Sequence, residues 1–157
     1  MSRLAASALV AVPCLCVVAC GADPALLAAR ATLANVTRVT TDLDERVERG
    51  PEGLGPDAAS RIATPEGAEQ FEAMRGTLRE TDRLVERSSR GLDLWAADEG
   101  GEGVWVTLRP CLALALFDLR AQLVALSLDV PLALEQSLVE TGAAGGRCGR
   151  REVPPVE

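Results

Sequence analysis

Cysteine and arginine are the residue types in this 157-residue chain whose spacing could carry chemistry. The five cysteines stand at positions 14, 16, 20, 111 and 148. All 16 basic side chains are arginines, and Arg75, Arg79, Arg83 and Arg87 recur every four residues. On a helix that spacing puts four guanidinium groups along one side, where they could grip phosphates or carboxylates through paired hydrogen bonds. Glu72, Glu80, Asp82 and Glu86 each lie three residues from one of these arginines. The row therefore reads first as a salt-bridged solvent face and only second as an anion-binding site.

The absences are equally informative. Without histidine, lysine or tyrosine there is no imidazole base, amine nucleophile, phenolic acid or histidine metal ligand. No GxSxG elbow and no phosphate-binding glycine loop occurs. Adjacent carboxylates such as Asp98 with Glu99, or Asp42 with Asp44, fall on exposed segments with nothing to desolvate them. No catalytic residue, cofactor or metal site is expected. The run from Asp98 to Gly103 lacks the alternating oxygen ligands of a calcium loop and reads as a solvated acidic turn. A net charge of −7 argues against nucleic acid and against polybasic docking to anionic lipid.

Residues Leu4 to Ala22 are uncharged and lie between Arg3 and Asp23, with a core of leucine, valine and alanine and small residues at the end. That is the layout of a secretory signal. Its last residues, Val17-Val18-Ala19-Cys20-Gly21, resemble the lipobox of bacterial lipoproteins. Cys14 follows Pro13 and Cys16 follows Leu15, so neither has the small residue that the cut requires. The resemblance implies a signal peptide over 1–19, cleavage before Cys20 and attachment of acyl chains to that cysteine. Two or three chains give stable anchoring where one binds only marginally. Gly21 in place of an aspartate implies, by the enteric sorting rule, the outer membrane facing the periplasm. The competing readings are an uncleaved anchor, an ordinary cut after Gly21 or Ala22, and a chance apolar helix. With Cys20 modified, Cys111 and Cys148 are the pair left to form a disulfide in an oxidising compartment.

The elements that would position these residues read as all-α, an antiparallel bundle of three or four helices over 20–141, followed by a flexible tail over 142–157. From Pro24 to Arg49 the inward positions fall on a heptad. Leu26, Leu33, Thr40 and Val47 occupy one row and Ala29, Val36 and Leu43 the other. Asp42 with Arg46 and Glu45 with Arg49 are spaced as ion pairs on the outer face. After a connector that could hold one helical turn near Asp57–Ile62, Thr64-Pro65-Glu66 starts a second helix. Phe71, Leu78, Val85 and Leu92 form one of its rows, and Met74, Thr81, Ser88 and Trp95 the other, so the two seams match as a hairpin. A brief extended stretch at Val104–Val106 then leads to a third helix, opened by Pro110 and apolar enough to be central. Pro131 either kinks that helix or breaks it into a fourth, Leu132–Thr141, capped by Asp129. The break is preferred, and an intramolecular Cys111–Cys148 bridge would support it.

The expected function is that of a membrane-anchored envelope lipoprotein, a helical interaction or structural module that meets another envelope protein or itself. The alternative is a bundle that holds a lipid or small apolar ligand in a cavity along the third helix, lined in part by the few aromatics, Phe71, Trp95, Trp105 and Phe117.

Overall fold

The computed structural model describes residues 23–142 and Cys148. Residues 1–22, with the expected signal peptide and Cys20, and the residues after 142 apart from Cys148, where the sequence predicts a flexible tail, lie outside the described residues. The described chain is helical: α1 (Pro24–Glu48), α2 (Pro56–Ile62), α3 (Pro65–Ala96), α4 (Glu102–Ala125) and α5 (Leu132–Gly142), with a 3-10 turn at Pro51–Leu54.

α1 starts where a side chain can satisfy its free amides: Asp23 accepts from the Ala25 N–H at 2.8 Å, with Pro24 in the first turn. All seven heptad residues from Leu26 to Val47 are buried. The seam tolerates Thr40 because its hydroxyl donates to the Val36 carbonyl one turn back, at 3.1 Å. α3 begins at the expected signal, the Thr64 hydroxyl accepting from the Gly67 N–H at 3.1 Å. Phe71, Met74, Leu78, Thr81, Ser88 and Leu92 are buried, while Val85 and Trp95 are half-buried. The connector is more regular than its glycines suggest, since α2 folds Ala58 and Ile62 under the bundle end.

Packing runs α1 to α3, α3 to α4, α4 to α5 and α5 back to α1, an up-down-up-down ring of four staves. Arg30 beside Asp93 sets α1 and α3 antiparallel. Gln122 beside Thr77 sets α3 and α4, and Arg120 beside Glu135 sets α4 and α5. Three sequence expectations need correction. α4 begins at Glu102, so Val104–Val106 is helical and Pro110 sits inside the helix. Proline removes the amide that would bond to the Val106 carbonyl, yet Val106 is exposed and water can take that bond. α4 is also not central, because each stave has two neighbours and the core is the space among all four. The third correction concerns the start of α5: Pro131 precedes its first helical residue, and the Pro131 carbonyl accepts from the Leu134 N–H at 2.9 Å, so Asp129 is no cap.

The helix break is present, and its cause lies ahead of Pro131. α4 ends in a Schellman motif, with the Leu128 N–H on the Leu123 carbonyl at 2.8 Å and the Ser127 N–H on the Val124 carbonyl at 2.9 Å. Ser127 takes the left-handed conformation at φ 53°. α3 ends in the same way, with Asp98 at φ 61° and the Glu99 N–H on the Leu94 carbonyl. The acidic turn that follows is therefore built for packing. Gly101 is buried, and a Cβ there would run into the Gly91 carbonyl and the Trp95 amide, so α3 and α4 approach closely at this crossing.

Candidate functional site

Of the residues singled out from sequence, the structure joins one pair from distant parts of the chain. Cys111 and Cys148 form a disulfide with Cα atoms 4.7 Å apart. The bridge closes only because α5 folds back along α4, and three further contacts hold that return. The Arg109 guanidinium donates to the carbonyls of Glu140 and Thr141, the latter at 3.2 Å. These are orphan acceptors at the C-terminus of a helix, where a cation is favoured. Arg120 Nε donates to Glu135 Oε1, and Asn35 of α1 donates to both Glu140 oxygens, at 3.1 and 3.3 Å. None of these partners was legible in sequence, since they lie 15 to 105 residues apart.

The arginine row does not converge on anything. Arg75 pairs with Glu72 at 3.0 Å and Arg83 with Glu80 at 3.5 Å, both one turn away on α3 and exposed. Arg79 Nε donates to the Arg75 carbonyl. Arg87 is half-buried, and among the described residues no ion pair or side-chain hydrogen bond joins the four to a common partner. On α1, Asp42 and Arg46 meet at 4.0 Å, whereas Arg49 turns to the Glu45 main-chain carbonyl instead of its carboxylate. The Asp82 carboxyl is held above the usual aspartate value, first by partial burial and then by the like charge of Asp44. Among the described residues no group of three or more histidine, cysteine or acidic side chains could hold a metal.

A groove of about 420 Å³ lies between α1 and α3, lined by Leu33, Ala34, Thr37, Val85, Ser89 and Leu92 with the Arg30–Asp93 pair at its edge. It is open to solvent and away from α4. The inner leucines of α4, Leu108, Leu112, Leu116 and Leu119, are completely buried against their neighbours. Phe117, which a cavity along that helix would turn inward, points outward.

The feature that sequence reasoning missed is on the outside. Val106, Leu114, Phe117 and Val124 of α4, and Leu132 and Val139 of α5, are 49% to 74% exposed. Successive residues of a helix are turned by about 100°, so Val106, Ala113, Phe117 and Val124 fall on one narrow line, with Leu114 and Ala121 beside it. Leu132, Glu135 and Val139 share a face of α5, and Glu135 grips Arg120, which shares a side of α4 with Phe117 and Val124. The apolar surface therefore runs across both helices around an internally neutralised ion pair. Between Glu102 and the end of α4, Asp118 is its one exposed charge. A signal for it was present in the sequence: α4 has more apolar positions than one core-facing stripe can use.

No protein-family model, no curated protein and no solved structure matches the chain.

Proposed function

We propose that this protein is a lipid-anchored helical module of the bacterial cell envelope, tethered through Cys20 and presenting the outer face of α4 and α5 to a protein partner. The observation that carries the reading is the run of exposed apolar residues on these two helices, set on a bundle whose α3 face and second half of α1 are charged and where Leu27 is the one other large apolar side chain exposed among the described residues. Monomeric proteins seldom leave a patch of several hundred Å² in water, and one of that size marks an interaction site. The side-chain inventory favours binding over catalysis. Among the described residues no helix is long and apolar enough to cross a membrane, so attachment in this reading falls to the acyl chains on Cys20.

The tether would be short. Only Gly21, Ala22 and Asp23 separate Cys20 from the first residue of α1, a reach on the order of 10 Å. The bundle end formed by the start of α1 and the α3–α4 turn would stand next to the bilayer, and confinement there raises the effective concentration of any partner held in the same membrane. Placement on the periplasmic side of the outer membrane rests on Gly21 and belongs to the same proposal.

The test is the intact mass of the chain expressed in a bacterial host with its own leader and taken from the membrane fraction, beside a Cys20→Ala control. A mass that begins at Cys20 and includes acyl chains, absent from the control, is expected. A chain cut after Gly21 or Ala22, or one left unprocessed, overturns the anchor.

A further inference from the structure

We infer that the outer face of α4 is the seam of a parallel homodimer, in which this helix pairs in register with the same helix of a second copy. The inference rests on the interaction-module reading above and names its partner. The apolar positions follow the four-and-three spacing of a coiled coil. Val106, Ala113 and Arg120 fall at one heptad position, the arginine held by Glu135 of its own copy, and Pro110, Phe117 and Val124 at the other, with Leu114 and Ala121 widening the stripe on one side. A seam of this kind matches a helix bearing the same seam, and this chain supplies one.

Charge selects the face. Copies of a chain of net charge −7 repel one another over most of their surface, and α3 and the second half of α1 show ionised side chains along their exposed sides. The α4–α5 face lacks that barrier, because Arg120 and Glu135 neutralise each other within one copy at 2.6 Å. Ala113 and Ala121 are small enough for two backbones to approach.

The area reaches the lower bound only with α5 included. The six exposed apolar residues of α4 and α5 leave on the order of 600 Å² in water, at the upper end of what a monomer shows as one patch. Covering all of it on both copies, with Leu132 and Val139 of α5 flanking the seam, removes at most roughly 1,200 Å², the low end of specific interfaces. The tether decides the direction. α1 and α4 run the same way in the ring, so α4 begins at the anchored end and its seam leads away from the bilayer. A two-fold axis along the membrane normal keeps both anchors in one leaflet, whereas an antiparallel pairing would put them at opposite ends.

Site-directed disulfide crosslinking in bacterial membranes tests this on the whole chain. Val124→Cys and Leu114→Cys, each oxidised in place, are expected to give a band of twice the chain mass on a non-reducing gel, at least tenfold more intense than in Arg83→Cys or the unsubstituted chain. Adding Phe117→Glu to either variant is expected to abolish the band while the thermal melt of the bundle stays unchanged, since Phe117 is exposed. Three results overturn the inference: equal bands at positions 124 and 83; a band at 114 with none at 124, the mark of an antiparallel pairing; or a Val124→Cys adduct of another mass, the mark of a different partner. Crosslinking scored in the Cys20→Ala background separates failure of the seam from failure of the anchor, because the seam predicts residual dimer at high concentration even where tethering is lost.

Discussion

The two halves of the bundle use the same helical grammar and treat water in opposite ways. On the α1–α3 side the inner seam is apolar and the outer surface, apart from Leu27 and the alanines in the first half of α1, carries Arg30, Asp42, Arg46, Glu72, Arg75, Glu80, Arg83, Glu86, Arg90 and Asp93, paired within one copy. On the α4–α5 side the inner leucines are just as completely buried, yet the outer surface is apolar too. The difference teaches that burying the core accounts for only part of the hydrophobic content of α4. Folding needs the inner stripe, and the outer one adds nothing to it while costing solubility. The α1–α3 half is held by matched seams with the exposed Arg30–Asp93 pair across them. The α4–α5 half adds a disulfide and three polar ties, because α5 has only 11 residues and too little apolar surface to stay in place unaided.

The contrast can be broken hardest at the staple. Cys111→Ser, or reduction of the wild-type chain, frees a loop of 37 residues and is expected to lower unfolding stability by about 4 kcal/mol. In denaturant titrations reductant should lower the stability of the wild-type chain and have no further effect on the already destabilised Cys111→Ser variant. Amide exchange should show α5 opening first, with α1 and α3 keeping their protection; uniform loss across all four staves would mean that the halves are not distinct.

Arg109→Ala leaves the C-terminal carbonyls of α5 without their donor and should cost about 2 kcal/mol in the same titration. The mirror experiment on the charged half, Arg83→Ala, removes an exposed pair and should change stability by less than about 0.5 kcal/mol. Comparable losses from the two would erase the distinction between a tie that holds a helix and a pair that merely dresses one.

Ser127→Gly sharpens the picture at the hinge between α4 and α5. Ser127 sits in the left-handed conformation that glycine adopts without a Cβ penalty, so the variant should be more stable by about 1 kcal/mol in thermal unfolding.

The smallest effect belongs to the charged half. Burial and Asp44 raise the folded-state titration of Asp82 above its unfolded value, so protonating it favours the fold. Its contribution is present at acid pH and lost as pH rises through the raised folded value. Asp82→Asn should therefore raise the melting temperature at pH 7 by no more than about 2 °C, given the exposure of the group. The gain should vanish below the ordinary aspartate range, and a gain independent of pH would assign the effect to packing instead.

The helices were legible because their signals are local. Pro24 behind Asp23, and Thr64 ahead of Pro65, are capping chemistry within one turn. The heptad from Leu26 to Val47 is a periodicity that only a helix with one buried side can satisfy. α5 was legible to within a residue at either end. The start of α4 was misread because a proline inside a helix costs a hydrogen bond that only its surroundings can excuse, and the surroundings here are water at Val106. The acidic turn was misread because its glycines looked like solvent-exposed punctuation, whereas Gly101 is packed against the backbone of α3.

Composition, periodicity and caps thus settled an all-α bundle, the limits of three of its four long helices and a chemistry poor in catalytic groups, since each of these depends on residues within a few turns of one another. The tertiary structure decided what joins distant segments: the ring order of the staves, the Cys111–Cys148 bridge, the arginines that seize α5, and above all which of two apolar stripes on α4 is core and which is surface. A helix that is apolar nearly all round leaves its rotation about its own axis open, and only packing against α3 and α5 fixes it.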